Sequence, residues 1–272
     1  EIPKRDWSSD VCSSDLAGLG QAGRNREYVT MGPVVQALSG LTFSSGLPDM
    51  PPAGWGWSYM DDTGGMYATI SALTALHHRN ITGEGQHIDL SQVAAAITLT
   101  GPVILDYVVN GRGSRREGYP AGNRAVWPGA PVLDNYRGPV VAPHNAYRTA
   151  GGGYNDWCTI VCNTDDEWSR LVTTMGHPAW ATAPDLATNA GRLARQIDVD
   201  AGIEAWTSTL GKYEIMQVCQ AAGVRAMPVQ SNQDRVDHDA QLRHQQMYRP
   251  VYHPVLGTNL MQNFPFTLSE AE

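Results

Sequence analysis

Cysteine is scarce in this chain: four residues among 272, with no spacing that suggests a disulfide framework. That excludes a disulfide-stapled secreted scaffold and makes a reducing compartment, the cytoplasm, the expectation. Cys158 and Cys162 lie in Cys-Thr-Ile-Val-Cys, which reads as a strand. Their even spacing places both on one face, as buried thiols rather than metal ligands. Positive charge is also short. There are 19 Lys+Arg against 27 Asp+Glu, a formal net charge of −8. This balance argues against nucleic acid or an anionic membrane as a partner. No apolar run approaches the length of a membrane span, and no secretory signal is apparent. No His, Cys, Asp and Glu cluster has metal-ligand spacing, so no metal is expected. The 42% hydrophobic content suffices for a substantial core and one or two domains.

What the chain does have is one concentrated stretch, Trp55 to Met66. Aromatics lead into the carboxylates Asp61 and Asp62. The glycines Gly64 and Gly65 follow, and then a helical period begins. Met66, Ile70, Leu73 and Leu76 fall at three- and four-residue steps, so a helix is expected over Gly65 to Arg79. The stretch reads as a loop delivering an acid to a helix N-terminus, where the dipole and free N–H groups favour negative charge. Asp62 or Thr63 is expected to cap the helix, leaving Asp61 to face the cleft. Glycines there let a ligand approach the main chain closely.

Residues 1–16 do not read like the rest. Asp6 to Leu16 is rich in Ser and Asp and has no period. It back-translates to codons resembling a sequencing-library adapter, so it is set apart from the fold as an expected artefact. Ala17 to Gly23 reads as a strand end and turn, and Tyr28 to Gly40 as a loop and short helix. Pro48 to Gly56 reads as loop. His87 to Leu90 is a short strand, and Ser91 caps a second helix, Gln92 to about Val109, apolar on most sides and so buried. His77, His78 and Arg79 read as a solvated helix end. Arg112, Arg115, Arg116, Arg124 and Arg137 lie among Gly and Pro in a linker, 111–144, that reads first as solvated and second as a stretch to meet phosphates or an acid. Asn145 to Thr149, Gly151 to Gly153 and Trp157 to Cys162 read as strand, turn, strand. Thr164 and Glu167 form a capping box for a helix to Met175. Further helices are expected at Asn189–Gln196, Ala201–Ser208 and Tyr213–Ala222, the last stopped by Gly223.

The stretch from Gly18 to about Ala94 resembles the class III CoA-transferases. Five segments carry the likeness: Gly20-Gln21, Gln36 to Gly40, Tyr59 to Met66, Thr82 to Gln86, and His87 to Ser91. Ala222 to Val229 and His253 to Gly257 extend it more loosely. The resemblance implies an α/β fold: an incomplete Rossmann-like large domain over 17–110, a smaller α+β domain over 145–228, and a return segment over 229–272. It implies that about a hundred upstream residues and a closing segment are missing, so that the chain is an internal fragment. The family's acyl-carrying aspartate falls on Asp61. Thr30, Met31, Gly32 and Pro33 fall beside CoA, and main-chain N–H groups near Gly64 and Gly65 become the oxyanion donors. CoA enters as substrate, with no permanently bound cofactor. The implied partners are an acyl-CoA, a small carboxylic acid, and a second copy in an interlocked homodimer. Two alternatives stand beside this. The α-methylacyl-CoA racemases share the fold but use a histidine, whose place falls at about Met31, and Met cannot move protons. The other is an inactive fragment. One departure is noted: where formyl-CoA transferases carry a glycine-rich loop, this chain has Pro139 to His144.

Overall fold

The computed structural model describes residues 13–45, 51–56, 58–111 and 141–270. The five linker arginines and residues 1–12, 46–50, 57, 139 and 140 lie outside the described residues. The chain divides into two compact units, one up to Val140 and one from Val141.

The first unit is built on a parallel strand pair. β1 (Ser13–Ala17) pairs with β2 (His87–Ser91), with Ser13 opposite His87 and Ala17 opposite Ser91. Residues 13–16, set apart on sequence grounds, therefore take part in the sheet. Parallel strands need a crossover. It is supplied by α1 (Gly32–Leu38) and the long α2 (Tyr59–Thr82), with Pro33 in the first turn of α1. α2 stops at Gly83, whose φ of 77° lets its N–H reach the Arg79 carbonyl. A small core forms from Val35, Leu41, Met60, Val93 and Ala96, with Leu19 against it.

Two expectations change here. The buried residues of α2 are Met60, Thr63, Gly64 and Ala75. Met66, Ile70, Leu73 and Leu76, which set the helical period, are exposed. The period gives the helix correctly but not its buried face. The expected single helix from Gln92 is instead broken into α3 (Gln92–Ile97), a 3₁₀ turn (Thr98–Thr100) and α4 (Gly101–Asn110). The stretches on either side of the break meet at 71°. Pro102, in the first turn of α4, explains it, because proline lacks the N–H that would continue the ladder. α3 buries Val93, Ala95 and Ala96, whereas Ile104, Leu105, Tyr107, Val108 and Val109 of α4 are exposed. Among the described residues no single helix is long and apolar enough to cross a membrane; the α3–α4 pair passes by composition only when taken across its bend.

The second unit is α+β. Strands β3 (His144–Arg148), β4 (Trp157–Val161) and β5 (Arg225–Pro228) form an antiparallel sheet in that order. The β3–β4 turn carries the glycine triplet. Gly151 and Gly152 have φ of 102° and 63°, and Asp156 accepts from the Gly153 N–H at 2.7 Å. This is the hairpin that the sequence suggests.

Helices α5 (Asp165–Thr174), α6 (Asn189–Ala194), α7 (Gln196–Thr207) and α8 (Lys212–Ala221) follow. The capping box at α5 is complete: Thr164 Oγ1 accepts from the Glu167 N–H, and Glu167 Oε2 accepts from the Thr164 N–H. The core joins Tyr147, Ile160, Trp168, Leu171, Leu186, Val199, Ile203 and Ile215 to the buried thiols of Cys158, Cys162 and Cys219. Burial pushes Cys158 and Cys162 up to about 12, and Cys219 up to about 11. The chain closes with a π-helical turn (Asp234–His238), α9 (Ala240–His244) and a hairpin of β6 (Tyr248–His253) and β7 (Gly257–Gln262). These belong to the same unit as β3–β5.

Candidate active site

In open parallel sheets, ligands bind beyond the carboxyl ends of the strands. The described strand pair has that end at Ala17 and Ser91. Three segments converge there. The carbonyl of Gly18, just past β1, accepts from the Val93 N–H at 3.0 Å and from Ser91 Oγ at 3.2 Å. Ser91 Oγ also caps α3 through the Ala94 N–H. The exit loop of β1 is tied to β2, because Asp89 Oδ1 accepts from the Gln21 N–H at 2.9 Å.

The segment Thr30 to Pro33 closes one side. A Cβ on Gly18 would meet Thr30 Oγ1 at 2.0 Å, so only glycine allows that approach. Gly32 lies against Ser58, where a Cβ would come within 3.3 Å of its Cα. Met31 is the N-cap of α1 and is 72% exposed. Of the four residues named as CoA contacts, Thr30 thus lies against Gly18 and Gly32 against Ser58, the N-cap of α2.

That start differs from the expected capping. Ser58 is the N-cap, without a side-chain bond, and both aspartates lie inside the first turn. Neither Asp62 nor Thr63 caps; Thr63 Oγ1 bonds back to the Tyr59 carbonyl at 3.1 Å. Asp61 is exposed, and its Oδ1 accepts from Gln92 Nε2 at 2.6 Å. Gln92 opens α3 directly after β2.

The two glycines separate in role. Gly64 is wedged: a Cβ would stand 3.2 Å from Gln92 Cγ and 3.3 Å from Leu16 Cδ1. A Cβ on Gly65 would meet nothing within 4 Å. Both are second-turn residues of α2, so their N–H groups are committed to the helix ladder. The expectation that those N–H groups face an oxyanion does not fit this geometry.

The aromatic approach is pinned from below. Gln36, 4% exposed, accepts from the Trp55 N–H at 3.2 Å, and its own Nε2 has no partner among the described residues. Trp55 Nε1 bonds Ser45 Oγ, and its ring lies 5.1 Å from that of Tyr59. Gln36 and Gln92 are the residues that sequence reasoning missed as individuals. Gln36 stands inside a quoted motif. Gln92 had a usable signal, a polar side chain at the first helical position after a parallel strand. Among the described residues no group of three His, Cys, Asp or Glu could hold a metal ion.

The geometry thus gathers an exposed aspartate in the first turn of a helix, at the carboxyl end of a parallel strand pair, with one oxygen held by an amide. Comparison gives the class. The model of CoA-transferase family III matches residues 10–272, and the chain belongs to that family. It is 31% identical over 248 residues to the succinyl-CoA–D-citramalate CoA-transferase of Chloroflexus aurantiacus, covering 91% of this chain and 56% of the relative. It is 28% identical to the formyl-CoA:oxalate CoA-transferase of Streptomyces avermitilis, covering 98% of this chain and 64% of that one. The chain therefore spans more than half, but less than two thirds, of these relatives. A CaiB/BaiF family protein from Brucella suis shares the fold, with a TM-score of 0.74 at 22% identity, over 95% of this chain and 65% of that one.

Proposed function

We propose that this chain carries the reaction centre of a CoA-transferase, with Asp61 as the nucleophile that moves CoA from an acyl-CoA to a carboxylic acid. The observation that carries the reading is the placement of Asp61: exposed, in the first turn of α2, with one oxygen held by Gln92 and the other unbonded among the described residues.

A free carboxylate is a poor acceptor for CoA, and a protein carboxylate divides the exchange into easier steps. Asp61 attacks the thioester carbonyl of the donor, giving an aspartyl–acyl anhydride and CoA thiolate. The thiolate adds to the aspartyl carbonyl and releases the donor's acid, leaving an aspartyl-CoA thioester. The acceptor acid repeats the sequence in reverse and leaves as its CoA ester. Thr30 to Pro33 line the approach of CoA. The open space at Gly65 admits the acyl group close to the helix. Succinyl-CoA is the first donor to try, because the Chloroflexus relative is named for it. The exposed apolar residues of α2 and α4 are a surface that a second copy would bury. A cytoplasmic location is part of the proposal, on the ground of the few cysteines without framework spacing.

The test is isotope exchange. Labelled CoA should pass between succinyl-CoA and a panel of short carboxylic acids, and Asp61→Ala should abolish it. Exchange that survives in Asp61→Ala removes the assignment.

A further inference from the structure

We infer that Gln92 is a catalytic group of this centre: its amide N–H fixes Asp61 Oδ1 and then stabilises the negative charge that gathers on that oxygen during CoA transfer. The inference rests on the transferase reading above and adds to it the donor that the glycines do not supply.

The geometry is direct. Gln92 Nε2 lies 2.6 Å from Asp61 Oδ1, a short bond to a carboxylate. The bond serves neither helix. α3 is capped by Ser91, and α2 takes Ser58 as its N-cap. A long amide side chain is nevertheless held in one rotamer, at an entropic cost. It is braced there, because its Cγ abuts Gly64, where no side chain stands between them.

The bond distinguishes the two oxygens. Oδ1 carries the donor, so Oδ2 is the attacking atom. Once Oδ2 is acylated, Oδ1 is the carbonyl oxygen of the anhydride. The CoA thiolate then forms a C–S bond to Asp61 Cγ, and the C=O electron pair moves onto Oδ1. The oxyanion collapses, the Cγ–Oδ2 bond breaks, and Oδ2 departs in the donor's carboxylate. No proton, oxidant or metal is needed to balance the step. The charge appears 2.6 Å from an N–H that is already in place, which is the requirement for an oxyanion donor.

Two variants test it. Gln92→Met keeps the length of the side chain and removes the donor. Gln92→Leu removes the polar group altogether. Each is mixed with succinyl-CoA in a single turnover, acid-quenched, and weighed for the aspartyl-CoA adduct. Both variants should form the adduct about a hundredfold more slowly, the usual cost of losing one such donor. KM for the acyl-CoA should stay close to the wild-type value, because the contact strengthens only in the transition state. Thermal melting of Gln92→Met should match the wild type. Wild-type adduct rates in both variants, with Asp61→Ala inactive, overturn the role of Gln92 alone. A wild-type protein that exchanges no CoA overturns the transferase reading and this inference with it.

Discussion

Arg192→Met tests the packing logic of the second unit most sharply. Arg192 is fully buried, and its hydrogen bonds among the described residues are to this unit. Its guanidinium donates to the Ala142 carbonyl at 2.6 Å, the Leu186 carbonyl at 3.0 Å and Asp165 at 2.7 Å. It also lies 5.3 Å from the Trp168 ring centroid. Methionine keeps much of the stem but leaves both carbonyls without a donor, at about 1–3 kcal/mol each. Asp165 is half-exposed and returns to water, so its share is at most about 1 kcal/mol. The variant should therefore lose roughly 2–7 kcal/mol, a large fraction of a domain's total stability. The assay is urea unfolding followed by tryptophan fluorescence, since Trp168 and Trp180, 6.1 Å apart, report this core. Asp165→Asn is the control and should cost about 1 kcal/mol or less. If Asp165→Asn costs as much as Arg192→Met, the ion pair dominates and the reasoning from buried carbonyls is wrong.

Further outcomes follow from single contacts. Gly191→Ala should prevent folding of the second unit or destabilise it severely, because the new Cβ would stand 1.7 Å from the Asp185 carbonyl oxygen; near-wild-type melting would refute this. Cys158, Cys162 and Cys219 should resist thiol reagents at pH 8 in the folded protein and react after denaturation, since burial pushes them to about 12, 12 and 11; peptide-resolved labelling in the native state would contradict it. Burial opposes the charge on Asp234, but hydrogen bonds from Lys212, Ser231 and Asn155 outweigh it and hold its carboxyl well below the usual range. A carboxyl depressed in the folded state contributes stability above its unfolded pKa of about 4 and loses it as the pH falls. Asp234→Asn should therefore flatten the acid limb of the stability profile; an unchanged slope would count against the network.

The second unit was the more legible in sequence. Its signals are local: Thr164 and Glu167 three residues apart make the capping box, the glycine triplet makes the turn, and Gly223 stops α8. Cys158 and Cys162 fell on one buried face because strand alternation is strict. The first unit was harder because its outcome depends on what covers each face. The period of Met66, Ile70, Leu73 and Leu76 identifies a helix but cannot say which stripe meets the sheet. The start of α2 was misplaced because Asp and Thr are good caps, whereas Ser58 ends the preceding loop without making a side-chain bond. The setting of aromatics, acid and glycines, together with the family resemblance, singled out Asp61, which the structure leaves exposed at the start of α2. The partner of Asp61 was not legible, since Gln92 lies thirty-one positions away and the two meet only because β2 returns parallel to β1.

The central claim is that Asp61 forms a covalent link during turnover. The most direct measurement incubates the protein with succinyl-CoA, traps with hydroxylamine, and maps the product by peptide mass spectrometry. The account expects a hydroxamate at Asp61, dependent on succinyl-CoA and lost in Asp61→Ala. A hydroxamate at another carboxylate, or CoA transfer with Asp61 never modified, would contradict it.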